Sequence, residues 1–511
     1  MTIAIIYDIF TPIAIINRVN GMQNSTAKNL NPEQRKNIAI NIVANYQTIT
    51  TAANENNVSR KFVSQQRDKA LQGINNNFKE QDNNILFYVP VTKSWLQQMV
   101  LSLTMFCKSS YRNTINILNY LFDFPISVGS IFNIVHKASD NAKKLNDAQD
   151  LSNIKEAAID EIFLNNDPIL TGVDLHSTYC FLLKDEDNRD GATWAKHLNL
   201  LKEQGLNPNK FIADFGSGLR LGLNLAYTGT PCNGDVFHVL FDLKKLSHYF
   251  KNRKKSRDTI VVELSTKFDK AKDSTKKENL SKQIQIAKSD AAKFAHLSSS
   301  IATLVDWMAH DVLSIAGSNP IERKKLYDFI VAEIKLLEKI HPHRIKASRV
   351  TLENNRDNIL AFTLEMDQEF AELANIFDVT KNDIWNLCEL HRCQRFSDKY
   401  YQRSEKIRDV LGSKKYIILM GLIGQIIKST TRSSSLVENL NSRIRPFCNL
   451  RKQMGENFSE LLKFFINHNP LSCSRKKERQ NKTPAEMLNK KSHPYWLEML
   501  EFDRVLPIIS I

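Results

Sequence analysis

Apolar residues change their spacing twice along the chain. From Pro32, a residue tolerated in a first helical turn, Ile38, Ile40, Ile42 and Val43 supply an apolar helical face, and the pattern predicts a helix over about 32–46. The stretch from Ile49 to Ile74 predicts a short helix holding Ala52 and Ala53, a tight polar turn at Asn56 and Asn57, and a second helix capped by Ser59. This is a helix-turn-helix pattern. Phe62, Val63 and Ala70 face its core, while Arg60, Lys61, Gln65, Gln66 and Lys69 project outward, the residue types that read base edges and bind phosphates. A plain helical hairpin with a solvated face would carry the same pattern. A weaker helical pair, Tyr111 to Ala138 around Phe124-Pro125-Ile126-Ser127, fits a linker domain as well as a second DNA contact.

From Glu156 the spacing becomes that of strands. EAAIDEIFL, PILTGVDLH and STYCFLLK are short apolar-rich runs separated by an Asn-Asn-Asp-Pro turn and a polar break near His176, and they predict a β-meander. A helix over Thr193 to Gln204 stopped by Gly205, a strand KFIADF, a helix near Leu219 to Ala226 and a strand DVFHVLFDL complete a β-β-β-α-β-α-β order. The ribonuclease-H-like fold is the best known mixed sheet that starts this way. Beyond Leu243 the pattern is helical for almost 190 residues. Within it Leu280, Ile284, Ala287, Ala291 and Phe294 make a coiled-coil-like seam. A last helical region around Ser434 to Asn467 leads into a basic tail, where Thr483-Pro484 with Glu486 marks a helix start and Trp496 is an anchoring aromatic.

At 511 residues the chain is long enough for two to four structural units, and 42% hydrophobic with 24% charged residues excludes global disorder. Lys and Arg number 70 against 55 Asp and Glu, a formal charge of +15 that favours a polyanionic partner. Between Lys244 and Lys293 there are 15 Lys or Arg and 6 Asp or Glu, so the excess is concentrated on the helical stretch, as a DNA-backbone contact or a solvated face. Met1 to Ile16 is apolar but carries Asp8 and Pro12 and lacks a basic flank, which predicts a buried segment rather than a signal peptide, and no membrane partner. Seven scattered cysteines without a C-x-x-C pair fit a reducing compartment. Cys388, His391 and Cys393 are the only close set; with no fourth ligand they read as a helix carrying thiols rather than a zinc clip.

Asp160 falls in the first predicted strand and Asp214 at the end of the fourth, neighbours in a ribonuclease-H-like sheet. Two adjacent carboxylates repel unless a cation lies between them, which predicts a Mg²⁺ or Mn²⁺ site with oxygen ligands. Glu161 and Asp174 are rivals for the first position. In SSSLVENLNSRIR, Val437, Leu440 and Ile444 share a packing face while Glu438, Asn441, Ser442 and Arg445 share another, so Glu438 can complete the site or merely form a capping box with Ser435. His238 reads as an accessory proton-transfer or substrate group, or as a core histidine. The Gly216-Ser217-Gly218 turn lacks the Lys-Ser/Thr of a nucleotide loop and serves to turn the chain.

Together IDEIF (Ile159 to Phe163), the W-x-x-x-L…GL…ADFGSGL series from Trp194 to Leu219, DVFH (Asp235 to His238), SSSLVENLNSRIR and the tail T-P-A-E-M-L (Thr483 to Leu488) resemble a bacterial insertion-sequence DDE transposase, over about two-fifths of the chain. The resemblance implies an RNase-H-like mixed sheet interrupted by a long all-α insertion, and with the helix-turn-helix pattern read before it the chain is expected to be α+β, largely helical, with helix-turn-helix domains preceding the core. Laid on this sequence, it divides the chain into an N-terminal segment 1–30, a helix-turn-helix domain 31–80, a second helical domain 81–150, the first part of the core 151–246, the insertion 247–430, the last core helices 431–470 and a basic tail 471–511. Asp160, Asp214 and Glu438 are then the catalytic and metal residues, holding two Mg²⁺ or Mn²⁺ ions, with Arg443 or Arg445 on the scissile phosphate. The implied partners are double-stranded DNA, as terminal inverted repeats and target, and further copies of the chain in a homo-oligomer; the implied location is the bacterial cytoplasm, at the nucleoid. A transposase-derived regulator without catalysis and an RNase-H-like structure-specific nuclease are the competing readings.

Overall fold

The computed structural model describes residues 27, 29–78, 87–164, 167–432, 435–450, 455–474 and 476–507. The Met1–Ile16 segment, expected to be buried, and Asn165-Asn166 of the expected turn lie outside them. Two compact units divide the chain, one of residues 1–99 with 503–511 and one of Val100–Phe502.

In the first unit, Asn31 and Gln34 form a capping box that starts α1 (Pro32–Val43), with Pro32 in the first turn where its missing N–H costs nothing. The helix ends three residues before the predicted Tyr46, at a turn where Asn45 takes a left-handed φ of 59°. Thr48 caps α2 (Ile49–Glu55), Asn57 at φ 52° turns the chain, and Ser59 Oγ accepts from Phe62 N at 3.1 Å to open α3 (Arg60–Asn77). Ile38, Ile42, Ala52, Ala53 and Val63 form the core that holds the three helices together. Ser94 Oγ, in the first turn of α4 (Lys93–Met105), donates to Asp503 at 2.8 Å and so joins the two stretches of this unit.

The second unit is built on one mixed sheet of β1 (Glu156–Leu164), β2 (Asp167–Asp174), β3 (Cys180–Asp185), β4 (Lys210–Ala213) and β5 (Cys232–Gly234), in the order β3-β2-β1-β4-β5. The meander β1-β2-β3 is antiparallel, and β1, β4 and β5 run parallel. Helices α5 (Tyr111–Phe122) and α6 (Val128–Asp147) precede it. Helices α7 (Gly191–Glu203) and α8 (Ser217–Ala226) make the crossovers; they pack closely because Gly222 lies where a Cβ would meet Trp194 Cβ at 2.2 Å. Trp194 is fully buried there, packing its helix on the sheet.

The predicted strand DVFHVLFDL is instead the start of a 35-residue helix, α9 (Val236–Lys270). Val236, Val239, Leu243, Leu246 and Phe250, three or four apart, are its buried side, whereas Phe237 and Phe241, which an alternating strand reading would treat as core, are exposed. Asp235 starts it, its carboxylate accepting from Phe237 N at 2.8 Å. A hairpin with α10 (Ser274–Trp307) follows, and the predicted seam supplies buried Leu280, Ala291 and Phe294 with half-buried Ile284 and Ala287. Each arm is about 50 Å long. A π-turn at Met308–Val312, then α11 (Pro320–Glu338), α12 (Pro342–Phe377), α13 (Lys381–Leu390), α14 (Asp398–Leu411) and α15 (Ser413–Ser429) complete an all-helical body with its own core. Lys210, at the start of β4, bonds Glu365 of α12 at 2.7 Å and so ties this body to the sheet.

The chain then returns to the sheet as α16 (Ser435–Cys448), against β1 and β2, and α17 (Glu456–His468), between β3 and α6. Asn146 of α6 donates to Glu460 of α17 at 2.7 Å, so this part of the stretch 81–150, expected as a separate domain, packs on the sheet-bearing unit. The basic tail folds over it as α18 (Pro484–Asn489), opened by a Thr483–Glu486 capping box, and α19 (Trp496–Met499), whose Trp496 ring packs edge-on against Phe465. Among the described residues no single helix is long and apolar enough to cross a membrane; α14 and α15 reach that length only together and are bent by 117°.

Candidate active site

Strand alternation decides which acids can meet. Asp160 lies opposite Thr171 of β2, on the face of β1 covered by α16. Asp174 pairs with Ala157, on the other face, and its carboxylate is taken by Ser177 N at 2.6 Å and Ser177 Oγ at 2.5 Å in the β2–β3 turn. Glu161, also on the other face, accepts from Arg189 Nη1 at 2.8 Å and Trp194 Nε1 at 3.0 Å. Both rivals are therefore engaged elsewhere, and Asp160 alone of the three faces α16.

Parallel pairing of Ala158 with Ile212, continued two residues along each strand, brings Asp160 level with Asp214. Asp214 Oδ1 accepts from Gly216 N at 2.9 Å. The Arg220 guanidinium gathers the carbonyls of Asp214 at 2.7 Å, Ala213 at 2.9 Å, Cys232 at 2.6 Å and Asn233 at 3.2 Å, and so fixes the ends of β4 and β5.

Across from β1, Asn441 of α16 is fully buried and donates to Asp160 Oδ2 at 2.9 Å, while its own Oδ1 accepts from Thr171 Oγ1 at 3.3 Å. One turn earlier, Glu438 points to the same place. The side chain of Ser435, read as its capping partner, is not among those described. His238, on the first turn of α9, brings Nε2 to 3.9 Å from Asp160 Oδ2, 3.9 Å from Glu438 Oε1 and 3.6 Å from Asp235 Oδ2. That nitrogen is buried and makes no hydrogen bond.

Burial pushes the Asp160 carboxyl up to about 6, and the Asp214 and Glu438 charges add to the rise; the Glu161 N–H and His238 oppose it. The ligand atoms of Asp160, His238 and Glu438 all lie within 4.8 Å of one another, a spacing that one ion can bridge. The donor set, two carboxylate oxygens and an imidazole nitrogen without a hydrogen-bond partner, is one for a transition-metal ion such as Mn²⁺ rather than for Mg²⁺, whose ligands are oxygens. Asp214, expected as the second ligand, is not one of this trio; it adjoins Asp160 from the neighbouring strand.

The expected phosphate contacts divide. Arg445 is exposed, with Nη2 at 3.8 Å from Glu438 Oε2. Arg443 turns the other way: it is half-buried, Nη2 donates to Ile466 O of α17 at 3.3 Å, and burial lowers its pKa, so it does not reach the acids. Two residues on from Arg443 a helix has turned by about 200°, which separates these two arginines. On α3, Arg60, Lys61, Gln65 and Lys69 are exposed and Gln66 is half-buried. The Cys388–His391–Cys393 set makes no clip, since His391 Nε2 meets Met420 O at 3.0 Å and Cys388 is buried in the helical core.

Sequence reasoning missed Asp235, Arg220 and the role of Asn441. Asp235, directly before a helical apolar run, carried an N-cap signal; the other two act through tertiary contacts that no local pattern announces. No protein-family model and no curated protein matches the chain.

Proposed function

We propose that the protein is a DDE transposase, cleaving DNA at the ends of an insertion sequence and joining the freed 3′-hydroxyl to target DNA. The observation that carries this reading is the meeting of Asp160 of β1 with Glu438 of α16, beside Asp214, across an intervening all-helical body. The strand order β3-β2-β1-β4-β5, with β2 antiparallel to both its neighbours, supports an RNase-H-like core. Exposed Arg60, Lys61, Gln65 and Lys69 on the capped helix α3 support recognition of the terminal inverted repeats by the first unit.

Asp160, Glu438 and His238 would hold a divalent cation, and Asp214, on the neighbouring strand, would share in a second. Bound there, such ions supply charge neutralisation at the scissile phosphate and activation of the attacking oxygen. The chain's own groups do the rest. Asn441 fixes Asp160 Oδ2 in one orientation. Arg445, free to swing from Glu438, offers its planar fork to a phosphate oxygen. Both reactions are in-line displacements at phosphorus: water, then the 3′-hydroxyl, forms the new P–O bond as the old one breaks.

The test uses a labelled duplex carrying the element's end, with Mg²⁺ or Mn²⁺. The parent protein is expected to nick it and then yield joined strands; Asp160→Asn, Asp214→Asn and Glu438→Gln are each expected to lose activity by on the order of 100-fold or more while still shifting the DNA. Nicking without joining would make the protein a nuclease, and shifting without nicking a regulator.

A further inference from the structure

The basic tail carries a cavity that the catalytic reading does not use. The loop from Leu471 to Lys482 is closed at its base, where Leu471 N donates to Lys482 O at 3.0 Å and Asn481 N to Leu471 O at 2.9 Å. This loop, α18 and the β2–β3 turn line a cavity of about 750 Å³, within the range of small-ligand sites. Lys476, Lys482, Lys490 and Lys491 stand exposed around it. Arg479, on its wall, is only 9% exposed. Its Nη2 donates to the carbonyls of His176 at 2.7 Å and Leu175 at 3.5 Å, and among the described residues no carboxylate pairs with the guanidinium. Helix α18 packs with Ala157 and Trp194 on the face of the sheet away from Asp160, so the cavity is separate from the acids.

Surface lysines alone are ordinarily a solvated face. The buried arginine sets this cluster apart, because water competes less for its donors and a cation without a counter-charge is costly to bury. Main-chain oxygens hold Nη2 and so orient the planar fork, while among the described residues Nε and Nη1 make no hydrogen bond. The walls carry five cations, the four lysines and Arg479, against two acids, Glu478 and Glu486, and Glu486 is taken up by Thr483 N at 2.9 Å. A phosphate group carries about −1.5 to −2 near neutral pH, so two phosphates match that excess where a carboxylate does not. We propose that the tail cavity is a site for paired phosphates, seated on Arg479 and enclosed by Lys482, Lys490 and Lys491. Two sources supply such a ligand: a free diphosphate, as in a nucleotide, and successive phosphates of a nucleic-acid strand. The site needs none of the chemistry proposed for the acids.

The test is isothermal titration of the full-length protein with inorganic pyrophosphate in EDTA, which keeps divalent ions from carrying the ligand to the acids. The parent is expected to show saturable binding at one site and to bind acetate at least about 10-fold more weakly. Lys482→Gln/Lys490→Gln, at exposed side chains, should weaken pyrophosphate by about 10-fold or more with the urea unfolding midpoint unchanged. Arg479→Lys keeps the charge and loses the fork, and should weaken it by about 3-fold or more; if that protein fails to fold, the lysine variant decides. Lys254→Gln/Lys255→Gln, on α9, should bind as the parent does. No saturable binding by the parent, unchanged affinity in the tail variant, or an equal loss in the α9 variant overturns the proposal. A short duplex of unrelated sequence then separates the sources. Displacement of pyrophosphate by the duplex assigns the site to a nucleic-acid backbone, and unchanged pyrophosphate affinity in saturating duplex assigns it to a free diphosphate; the site stands in both cases.

Discussion

Asn441 is the residue on which the geometry around Asp160 turns. It is buried, 281 residues from Asp160 along the chain, and its amide is used from both ends: Nδ2 donates to Asp160 Oδ2 while Oδ1 accepts from Thr171 Oγ1. Replacing it with Ala leaves Thr171 a partner, because that hydroxyl also donates to the Asp160 carbonyl at 3.1 Å. Asp160 Oδ2 loses its only amide donor on α16 and is free to rotate. Asn441→Ala should therefore cost about 1–3 kcal/mol in urea unfolding and weaken Mn²⁺ binding by about 10-fold or more, read by the free-Mn²⁺ signal in electron paramagnetic resonance. Stability loss with Mn²⁺ affinity unchanged would show that Asn441 serves packing alone.

Elements were legible where their signals are local. Asn31, Thr48, Ser59 and Thr483 each sit before an apolar helical pattern and each caps a helix, because a short polar side chain reaches the free N–H groups of the turn that follows. The meander was readable from three short apolar-rich runs set apart by polar breaks. The run from Val236 to Leu243 satisfies both periods, and only packing against α12 and the hairpin partner α10 selects the helix. At the site, spacing alone left Glu161 and Asp174 as rivals of Asp160 and a capping role open for Glu438, and only the family resemblance singled out Asp160, Asp214 and Glu438; Arg443 was misdirected because its contact with the Ile466 carbonyl of α17 is a tertiary one that helix periodicity does not announce.

Helix α17 carries a consequence of its own burial. His468 in its last turn is buried, stacked on Phe464 at 4.0 Å, and burial pushes its pKa down to about 4; His493 adds to the fall, while the Phe464 carbonyl and Glu486 oppose it. An unfolded histidine titrates near 6.5, so the folded state holds the neutral form. Its stability contribution is complete above about pH 6.5 and is lost as pH falls toward 4, by about 3 kcal/mol at most. Urea unfolding at pH 7.5 and 4.5 should show a smaller acid loss in His468→Gln than in the parent, whereas equal losses would show that His468 protonates in the fold without cost.

At the scale of the whole molecule, charge is distributed unevenly. Of a net +15, the hairpin region from Lys244 to Lys293 holds 15 basic against 6 acidic side chains, on two helices whose shared seam is apolar and whose outer faces are exposed. A compact core gains nothing from such a stripe, since like charges in one arm repel and surface ion pairs return little. The stripe does suit a duplex, where every neutralised phosphate releases a counterion and steepens the salt dependence by about 0.9 per contact. Lys254, Lys255, Lys270 and Lys276 are exposed along the arms and toward the tip. If the hairpin lies on DNA, changing these four to Gln should reduce the slope of log Kobs against log salt by about 3 to 4 and weaken binding alike for specific and unrelated sequences. If α3 reads DNA as proposed, the opposite signature is expected there: Gln65→Ala or Gln66→Ala should lower affinity for the element's end while leaving the salt slope in place, because an amide reads bases and releases no ion. Measuring both sets by anisotropy from about 50 to 200 mM salt separates the two surfaces. A slope unchanged by the four glutamines would leave the hairpin's lysines as a solvated face and confine DNA contact to the other elements.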